Sequence, residues 1–463
     1  MLIILQIVNM NYILRPYQQE AVNKGLEFFR GKSKKNVIEV LPTGSGKSLV
    51  IANIAKELDG KLIIFQPSKE LLEQNFAKYI SYGEFAEIYS ASAGRKKIAH
   101  VTFATIGSVV NKPELFGEFQ YCIVDECHLV SPDENTMYKK FFDSLKLKVL
   151  GLTATPIRMK RYNFPIPHAK ICMLDRMRPK FFNEYIYITQ ISEMKENKYF
   201  ADIDYFSFDF DESKLMINST GGDYTERSIS LSLMSNSVLQ KITNLYNDIC
   251  CKGIIKHILI FVESIESAFE LQKMIGINNC GVVTGSTPKK ERADTLKLFK
   301  DGRLKCVANV GVLTTGFDFP ELDCIIGARP TMSLGLYYQI IGRCVRPHPN
   351  KIKAYVFDFV GNFKRFGKVD NLIIEKKENL WCIHNGEKIL TNNDISGRDL
   401  DVYNQYDKSK DVDTNLMTFG KYKGQELKSI PNSYWDWFLK EIQKNKYNQF
   451  IFNFIEQNIL ITK

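Results

Sequence analysis

The sequence of 463 residues lacks three patterns that would each define a class of protein. Its ten cysteines include no CxxC pair, so we expect no structural zinc site and a reducing compartment. No apolar run is long enough to span a bilayer, because the opening stretch MLIILQIV is too short. That stretch also lacks the basic start of a signal peptide. We therefore expect neither a membrane protein nor an exported one.

The composition excludes a disordered chain and gives a first indication of the partner. Charged residues make up 25% and hydrophobic residues 44%, which are ordinary values for a globular protein, and the length suggests two or three domains. The net charge of +10 favours a polyanionic partner, of which nucleic acid is the commonest. Charge alone does not identify that partner.

One loop carries a strong chemical signal. The stretch LPTGSGKS (41–48) lies between an apolar run and a helical pattern, which is the context of a phosphate-binding loop. Gly44 and Gly46 let backbone N–H groups turn towards phosphates, Lys47 can reach the β- and γ-phosphates, and Ser48 can ligate Mg²⁺. The strict pattern begins with glycine where this loop has leucine, so a glycine-rich turn is the alternative. The loop residues expected to contact a nucleotide are Pro42, Thr43, Gly44, Ser45, Gly46, Lys47 and Ser48.

Short apolar runs alternate with helical patterns twice, from Asn36 to Thr155 and again from His257 to Val360. Such alternation predicts a parallel sheet with helices on both faces. Only the first unit has a phosphate loop. We therefore expect an α/β protein with two tandem parallel-sheet domains and a small C-terminal α-rich module. The expected segments are a first domain (1–165), a connector or insertion (166–250), a second domain (251–375), a polar linker (376–415) and the module (416–463).

Two carboxylates end the apolar strand YCIVDE, which brings them to the carboxyl edge of the sheet, where ligands bind in open α/β folds. We expect Asp125 to hold Mg²⁺ and Glu126 to orient or deprotonate the attacking water. The alternative is an ordinary acidic turn, which is common after a strand. The phosphate loop upstream favours a catalytic pair over that alternative.

Two arginines in the stretch QIIGRCVRP provide a possible link between the domains. Arg343 and Arg346 are three apart on an expected helix, so they would project from one face. A guanidinium that reaches across from the second domain would stabilise charge on the γ-phosphoryl group only when the cleft is closed. The alternative is that both are solvated surface arginines.

Together with His128 the carboxylates spell DECH, and from here the order of motifs over roughly residues 14–350 resembles that of superfamily two helicases of the DExH type. The resemblance implies two RecA-like domains that form an interdomain ATP cleft. LRPYQQEAV (14–22) resembles the Q motif, in which the residue matching Gln18 reads the adenine edge and Arg15 lies nearby. TTGFDFP (314–320) resembles motif V.

The resemblance also assigns further residues. Motif V would bring Gly316 and Asp318 to the nucleotide, and motif VI would add Gln339 to the catalytic set. Stretches 65–74 and 103–109 resemble motifs Ia and Ib, which grip the nucleic-acid backbone, and GLTATP (151–156) resembles motif III, which couples hydrolysis to strand movement. The candidate nucleic-acid contacts are Pro67, Ser68, Lys69, Thr105, Thr153, Thr155, Thr284 and Thr315.

Within the superfamily the motifs most resemble RadD-like bacterial DNA helicases, with XPB-like helicases more distant. The cysteine-rich zinc-binding tail of RadD-like proteins is missing here, and only Cys382 follows Cys344. FGKYKGQELKSIPNSYWDWFL instead resembles a module also found on exonucleases of the proofreading type, and its aromatic helix favours core packing over a base-stacking surface. Such a tail suits a phage or mobile-element protein. We therefore expect a cytoplasmic location, in a prokaryote or a phage-infected cell.

These observations favour an ATP- and Mg²⁺-dependent DNA helicase or translocase in repair, recombination or replication. Its contacts with nucleic acid are expected to be backbone-directed and largely independent of sequence. Three alternatives stay open: an RNA helicase, the motor subunit of a restriction system, and a nucleic-acid-binding module with an inactive ATPase. Residues 360–463 contain no convincing nuclease signature, although a separate subunit could supply one. The intact Lys47, Asp125, Glu126 and Arg346 argue against the inactive module.

Overall fold

A computed structural model describes residues 12–131, 133, 135–162, 168–219, 221–253, 255–314, 316–391, 417, 421–422, 425–442 and 449–458. Thr315 and the part of the expected linker beyond residue 391 lie outside these described residues. The chain divides into two compact units, one with both α/β domains and one with the C-terminal segment. None of the described helices is both long and apolar enough to cross a membrane.

The first domain is built on an eight-stranded sheet in the order β10-β1-β7-β6-β2-β5-β3-β4, in which only the β3–β4 pair is antiparallel. Its strands are β1 (Val37–Val40), β2 (Leu62–Phe65), β3 (Glu87–Ser90), β4 (Arg95–Lys96), β5 (Val101–Ala104), β6 (Tyr121–Asp125), β7 (Lys148–Thr153) and β10 (Glu184–Ile188), while β8 (Ile157–Tyr162) and β9 (His168–Met173) form a separate two-stranded sheet. Its helices are α1 (Pro16–Arg30), α2 (Lys47–Glu57), α3 (Lys69–Ile80), α4 (Ile106–Val109), α5 (Met137–Asp143) and α6 (Ile191–Glu196).

The second domain has a six-stranded parallel sheet in the order β11-β16-β15-β12-β14-β13. Its strands are β11 (Ile203–Ser207), β12 (Ile258–Val262), β13 (Cys280–Val283), β14 (Cys306–Asn309), β15 (Cys324–Ala328) and β16 (Ala354–Asp358). Its helices are α7 (Glu226–Ser235), α8 (Val238–Lys252), α9 (Ile265–Ile275), α10 (Lys289–Lys300), α11 (Leu334–Ile341) and α12 (Asn362–Phe366). Strands β12, β13 and β14 are buried throughout, and β15 and β16 each have one partly buried residue, as expected for strands covered on both faces.

The register of the first sheet places three chain segments side by side. Strand β7 pairs with β1 on one side, with Val40 opposite Thr153, and with β6 on the other, with Asp125 opposite Leu152. The carboxyl ends of β1, β7 and β6 therefore meet at one edge. The phosphate loop, the GLTATP stretch and the DECH stretch all leave the sheet at this edge, so the fold itself assembles the candidate site.

The stretch expected as a connector supplies an edge strand to each sheet. Strand β10 joins the first sheet beside β1, and β11 joins the second beside β16. Both strands are only partly buried along their length, so their sequences EYIYI and IDYFS lack the continuous apolar runs that mark the interior strands. This is why the alternation of apolar runs did not predict them.

After α12 the chain forms an antiparallel hairpin of β17 (Ile373–Lys377) and β18 (Leu380–His384), which we call the C-terminal hairpin. The expectation of a polar linker from residue 376 is therefore wrong for this part of it. The side-chain amide of Gln190, just after β10, donates to the carbonyl of Ile374 (2.7 Å) and accepts from its N–H (3.1 Å). Lys195 of α6 also forms an ion pair with Asp370 (2.9 Å).

The hairpin is attached to both domains. The Trp381 ring packs edge-on against Tyr185 of β10, with ring centroids 5.4 Å apart. On the other side, the Asn385 amide donates to the carbonyl of Phe366 (3.1 Å) at the end of α12. The second domain is thus connected to the first at both ends of its sequence.

The described part of the C-terminal module contains α13 (Asn432–Glu441) and α14 (Gln449–Asn458). Trp435 and Phe438 of α13 are buried in its apolar core together with Ile451 and Ile455 of α14. The core-packing interpretation is confirmed for these aromatic side chains. Trp437 lies on the other face of α13 and is 48% exposed.

Glu39 in β1 is a buried carboxyl group whose two oxygens have no hydrogen-bond partner among the described residues. Burial raises its pKa well above the usual value. Because the folded-state pKa is the higher one, Glu39 contributes stability that is full below the unfolded-state pKa and is lost as pH rises through the folded-state pKa. We expect Glu39→Met to increase the free energy of unfolding by about 1–3 kcal/mol, with a larger gain at pH 8 than at pH 6.

Chemical denaturation at the two pH values measures this effect. Glu57→Met, at an exposed position at the end of α2, is the matched control and should give no pH-dependent gain. An unchanged stability of Glu39→Met at both pH values would contradict the expectation.

Candidate nucleotide-binding cleft

The loop between β1 and α2 has the backbone geometry of a phosphate cradle. Gly44 and Gly46 adopt φ angles of +84° and +80°, which side-chain-bearing residues rarely adopt. A Cβ on Gly46 would also lie 2.6 Å from Nε2 of Gln18. Helix α2 begins directly after Gly46, so its free N–H groups and Lys47 face the loop opening. This arrangement is suited to bind a polyphosphate.

The two carboxylates of the DECH stretch lie next to the loop. Nζ of Lys47 is 3.4 Å from Oε1 of Glu126. Asp125 accepts hydrogen bonds at Oδ1 from the N–H of Glu126 (2.9 Å) and at Oδ2 from the Asn75 amide (3.1 Å). Glu126 has a φ of +50°, a strained conformation for a residue with a side chain, and strain of this kind is concentrated at functional sites.

The electrostatics distinguish the two carboxylates. Burial, and then the neighbouring charge of Glu126, raise the pKa of Asp125 to about 7. Burial also opposes ionisation of Glu126, but Lys47 and His128 outweigh it and keep the pKa of Glu126 below its usual value. Glu126 is therefore ionised opposite Lys47. Ser48 and Asp125 line the same cleft and offer the hard oxygen ligands that Mg²⁺ prefers, so the residues fit this ion.

His128 connects the carboxylates to the GLTATP stretch and to the second domain. Its Nδ1 lies 2.9 Å from Oγ1 of Thr153 and 3.2 Å from Oγ1 of Thr155, and its Nε2 lies 3.4 Å from Nε2 of Gln339. Thr153 and Thr155 are buried in this structure, and His128 is a partner of both hydroxyls. Contact of these two threonines with nucleic acid stays a prediction.

The two arginines reach the cleft from a turn and not from a helix. Helix α11 ends at Ile341, and the N–H groups of Arg343 and Cys344 then bond three residues back, to Ile340 and Ile341, as the chain tightens and leaves the helix. The expectation of one helical face is therefore wrong, although Arg343 and Arg346 line the same cleft.

Both arginines contact the TTGFDFP stretch. Arg343 donates to the carbonyl of Phe317 (2.9 Å), and Arg346 forms an ion pair with Asp318. Burial lowers the pKa of both guanidinium groups, which nevertheless stay charged at neutral pH. Two positive charges from the second domain therefore face Lys47 and the carboxylates of the first.

The cleft brings together most of the expected nucleotide contacts. Residues predicted from the sequence that line it are Thr43, Gly44, Gly46, Lys47, Ser48, Asp125, Glu126, Gly316, Asp318, Gln339, Arg343 and Arg346. Leu71, Gln74 and Asn75 of α3 also line it and were not predicted. Their spacing of three and four residues puts them on one helical face, which is the signal that could have found them.

The Q-motif residues lie against the phosphate loop. The Gln18 amide donates to the carbonyl of Ser45 (2.6 Å) and accepts from the N–H of Arg15 (2.9 Å). The Arg15 guanidinium stacks over the Tyr199 ring at 4.3 Å from its centroid. The hydrogen bond from Gln18 to Ser45 holds the backbone of the phosphate loop. Recognition of the adenine edge by Gln18 stays a prediction.

The other candidate nucleic-acid contacts follow strand ends, with Pro67 after β2, Thr105 after β5 and Thr284 after β13. Ser68 caps α3 by accepting from the N–H of Leu71, and Lys69 pairs with Glu73. The hydroxyls of Thr105 and Thr284 bond to neighbouring hydroxyl groups. Thr315 lies outside the described residues. Nucleic-acid contact by this set stays a prediction.

Two protein families match the chain. Residues 11–158 match the family described as "Type III restriction enzyme, res subunit", and residues 238–348 match the family described as "Helicase conserved C-terminal domain".

A candidate ATP-dependent helicase of Saccharomyces cerevisiae, IRC3, is 25% identical over 377 residues, which cover 75% of this chain and 52% of that protein. The DNA 3'-5' translocase XPB2 of Sulfurisphaera tokodaii is 26% identical over 72% of this chain and 78% of its own length.

Among solved structures, a fragment of a candidate HsdR subunit of a type I restriction enzyme from Vibrio vulnificus YJ016 has a TM-score of 0.58 at 18% identity, covering 79% of this chain and 68% of that chain. This likeness confirms the fold of two RecA-like domains predicted from the sequence. The family matches and the relatives together place the chain in the superfamily two helicase group. The chain spans about half the length of the IRC3 relative.

Proposed function

We propose that this protein is an ATP-dependent DNA helicase or translocase, closest to the RadD-like helicases and active in repair, recombination or replication. One observation carries the proposal: Lys47 and Glu126 of the first domain and Arg343 and Arg346 of the second line a single cleft beside a phosphate loop. A single-domain ATPase has no need of cationic groups from a second domain. The cleft instead makes hydrolysis depend on how the two domains are placed.

Each residue has a distinct role in this proposal. The loop N–H groups and Lys47 bind the β- and γ-phosphates of ATP, and Glu126 accepts the proton of the attacking water at its carboxylate. Arg343 and Arg346 stabilise the negative charge that develops on the γ-phosphoryl group. Ser48 and Asp125 would hold Mg²⁺, which when bound neutralises charge on the phosphates.

Movement on nucleic acid follows from the contacts of His128. Its ring reaches Glu126 (3.4 Å), the two threonines of the GLTATP stretch and Gln339 of the second domain. A change at the γ-phosphate alters the surroundings of Glu126, and this network carries the change to both domains. Repeated closure and opening then moves one domain along the strand relative to the other.

DNA is the proposed substrate for three reasons: the motif order resembles RadD-like helicases, one relative is named as a DNA translocase, and the tail resembles a module found on DNA exonucleases. The chain carries a net charge of +10, which suits either nucleic acid. A cytoplasmic location, in a prokaryote or a phage-infected cell, is part of the same proposal and rests on the cysteine pattern and the tail.

We expect single-stranded DNA to stimulate the ATPase rate at least tenfold more than RNA of the same sequence and length. Affinity should be nearly independent of sequence, and it should weaken by about tenfold or more between 50 and 200 mM salt because phosphate contacts dominate such binding. Steady-state ATPase assays and fluorescence anisotropy at several salt concentrations measure both.

Stimulation by RNA equal to that by DNA would favour the RNA helicase alternative. A flat salt response would contradict a motor that tracks the backbone. The match to a restriction-enzyme family favours one further candidate, the motor subunit of a restriction system. In that case ATP hydrolysis would require double-stranded DNA, and DNA would be cleaved only when a nuclease subunit is added.

A further inference from the structure

Helix α11 of the second domain contacts the phosphate loop of the first through a tyrosine hydroxyl. The N–H of Thr43 donates to the Tyr338 hydroxyl at 3.4 Å, and the Tyr338 side chain is buried. The second domain therefore touches both the substrate-facing side of the cleft, through its arginines, and the backbone of the loop itself.

Two glycines allow this close approach. A Cβ on Gly342, directly after α11, would lie 2.8 Å from Cβ of Thr43, closer than such atoms approach in proteins. A Cβ on Gly44 in the loop would lie 3.1 Å from Cγ of Arg346. The missing side chains thus bring the backbone of each domain against the other, and the Tyr338 hydroxyl lies at this point of contact.

Tyr338 also lines a mostly apolar pocket together with Pro42 and Leu334. Hydrogen bonds in ligand-free sites are often long and shorten when the site closes. The 3.4 Å hydrogen bond between the N–H of Thr43 and the Tyr338 hydroxyl is long in this sense.

We propose that Tyr338 is a positioning residue for ATP hydrolysis, whose hydroxyl fixes the N–H of Thr43 so that closure of the second domain sets the conformation of the phosphate loop. The inference rests on the proposed function and deepens it. The arginines add charge to the cleft on closure, and Tyr338 aligns the loop that holds the phosphates. Both actions come from the same domain movement.

The neighbouring Tyr337 provides a matched control. Its side chain is as deeply buried, it is on the same helix, and its hydroxyl donates to the carbonyl of Gly367 (2.8 Å) inside the second domain. Tyr337→Phe and Tyr338→Phe each remove one buried hydroxyl and keep the ring. A purely structural role would give both variants the same phenotype.

We expect Tyr338→Phe to lower kcat about 2- to 10-fold, the effect of one neutral hydrogen bond, with the KM for ATP changed less than twofold. Tyr337→Phe should keep the wild-type kcat. Hydrogen exchange of the peptide that contains residues 41–48, measured without nucleotide, should be faster in Tyr338→Phe and unchanged in Tyr337→Phe. Thermal unfolding shows that both variants are folded.

Equal kcat values for the two variants, or equal hydrogen exchange of the loop peptide, would overturn the positioning role. A wild-type protein that does not hydrolyse ATP would refute the proposed function instead. In that case the exchange comparison still decides whether Tyr338 positions the loop, because it requires no hydrolysis.

Discussion

Glu126→Gln is expected to lower the kcat of ATP hydrolysis by about 10²- to 10⁴-fold, the usual contribution of a positioned general base. Glutamine keeps the shape of the side chain but has no carboxylate to accept the proton of water. Lys47 and His128 keep the pKa of the wild-type Glu126 carboxylate below its usual value. Glu126 is therefore ionised and able to act as a base at neutral pH. The loop that binds the phosphates is untouched, so ATP affinity should be kept.

Steady-state kinetics and titration with a fluorescent ATP analogue separate the two effects. The variant should accumulate as a complex with ATP and DNA, because closure is possible and hydrolysis is not. Glu118→Gln is a matched control in the same domain, at an exposed position far from the cleft, and should have wild-type kinetics. Normal hydrolysis by Glu126→Gln would exclude Glu126 as the base.

Arg346→Ala is expected to reduce kcat by about 10³- to 10⁵-fold, as found for arginine fingers in other nucleotide hydrolases. Arg346 is paired with Asp318 of the same domain and its side chain is about one-third exposed, so truncation leaves little buried space. In the proposed mechanism the guanidinium moves from Asp318 to the γ-phosphoryl group on closure. Arg346→Lys should rescue little, because an ammonium lacks the planar, forked geometry.

Arg303→Ala, at an exposed turn of the same domain, removes an equal charge and should leave kcat unchanged. ATP binding by Arg346→Ala should be within a few-fold of wild type, since the ground-state contacts come mainly from the loop. A large loss of binding with a normal kcat would mean that Arg346 holds the substrate and does not stabilise the transition state.

The fold and the centre of the site could be predicted because their signals are local. Interior strands such as β12 and β6 are continuous apolar runs, and the loop and carboxylates follow directly from strand ends. Parallel pairing then requires the ends of neighbouring strands to meet at one edge. The loop and the DECH stretch therefore come together without any long-range information.

The errors arose where long-range contacts decide the structure. The positions of Arg343 and Arg346 were derived from helical spacing, but the chain leaves α11 at Ile341. The hydroxyls of Thr153 and Thr155 are buried against His128, a contact that the motif did not predict. Burial depends on the whole sheet edge and cannot be obtained from a six-residue motif.

Edge elements were missed for another physical reason. Strands β10 and β11 lie at the edges of their sheets and are only partly buried, so their mixed sequences do not stand out from a loop. The C-terminal hairpin depends on Gln190, whose amide pairs with backbone groups 184 residues away. No local pattern specifies a partner at that separation.

The C-terminal hairpin gives the second domain two tethers to the first. One is the covalent passage from β10 through α6 into β11, and the other is the hairpin held by Gln190 and Tyr185, next to the ion pair of Lys195 with Asp370. Because the second domain is attached to the first at two places, its effective concentration at the cleft stays high. The entropy cost of closing the cleft again is therefore small. In the proposed mechanism, the cleft then reopens after each ATP hydrolysis by a rotation of the two linked domains. The second domain stays next to the cleft when the next nucleotide binds.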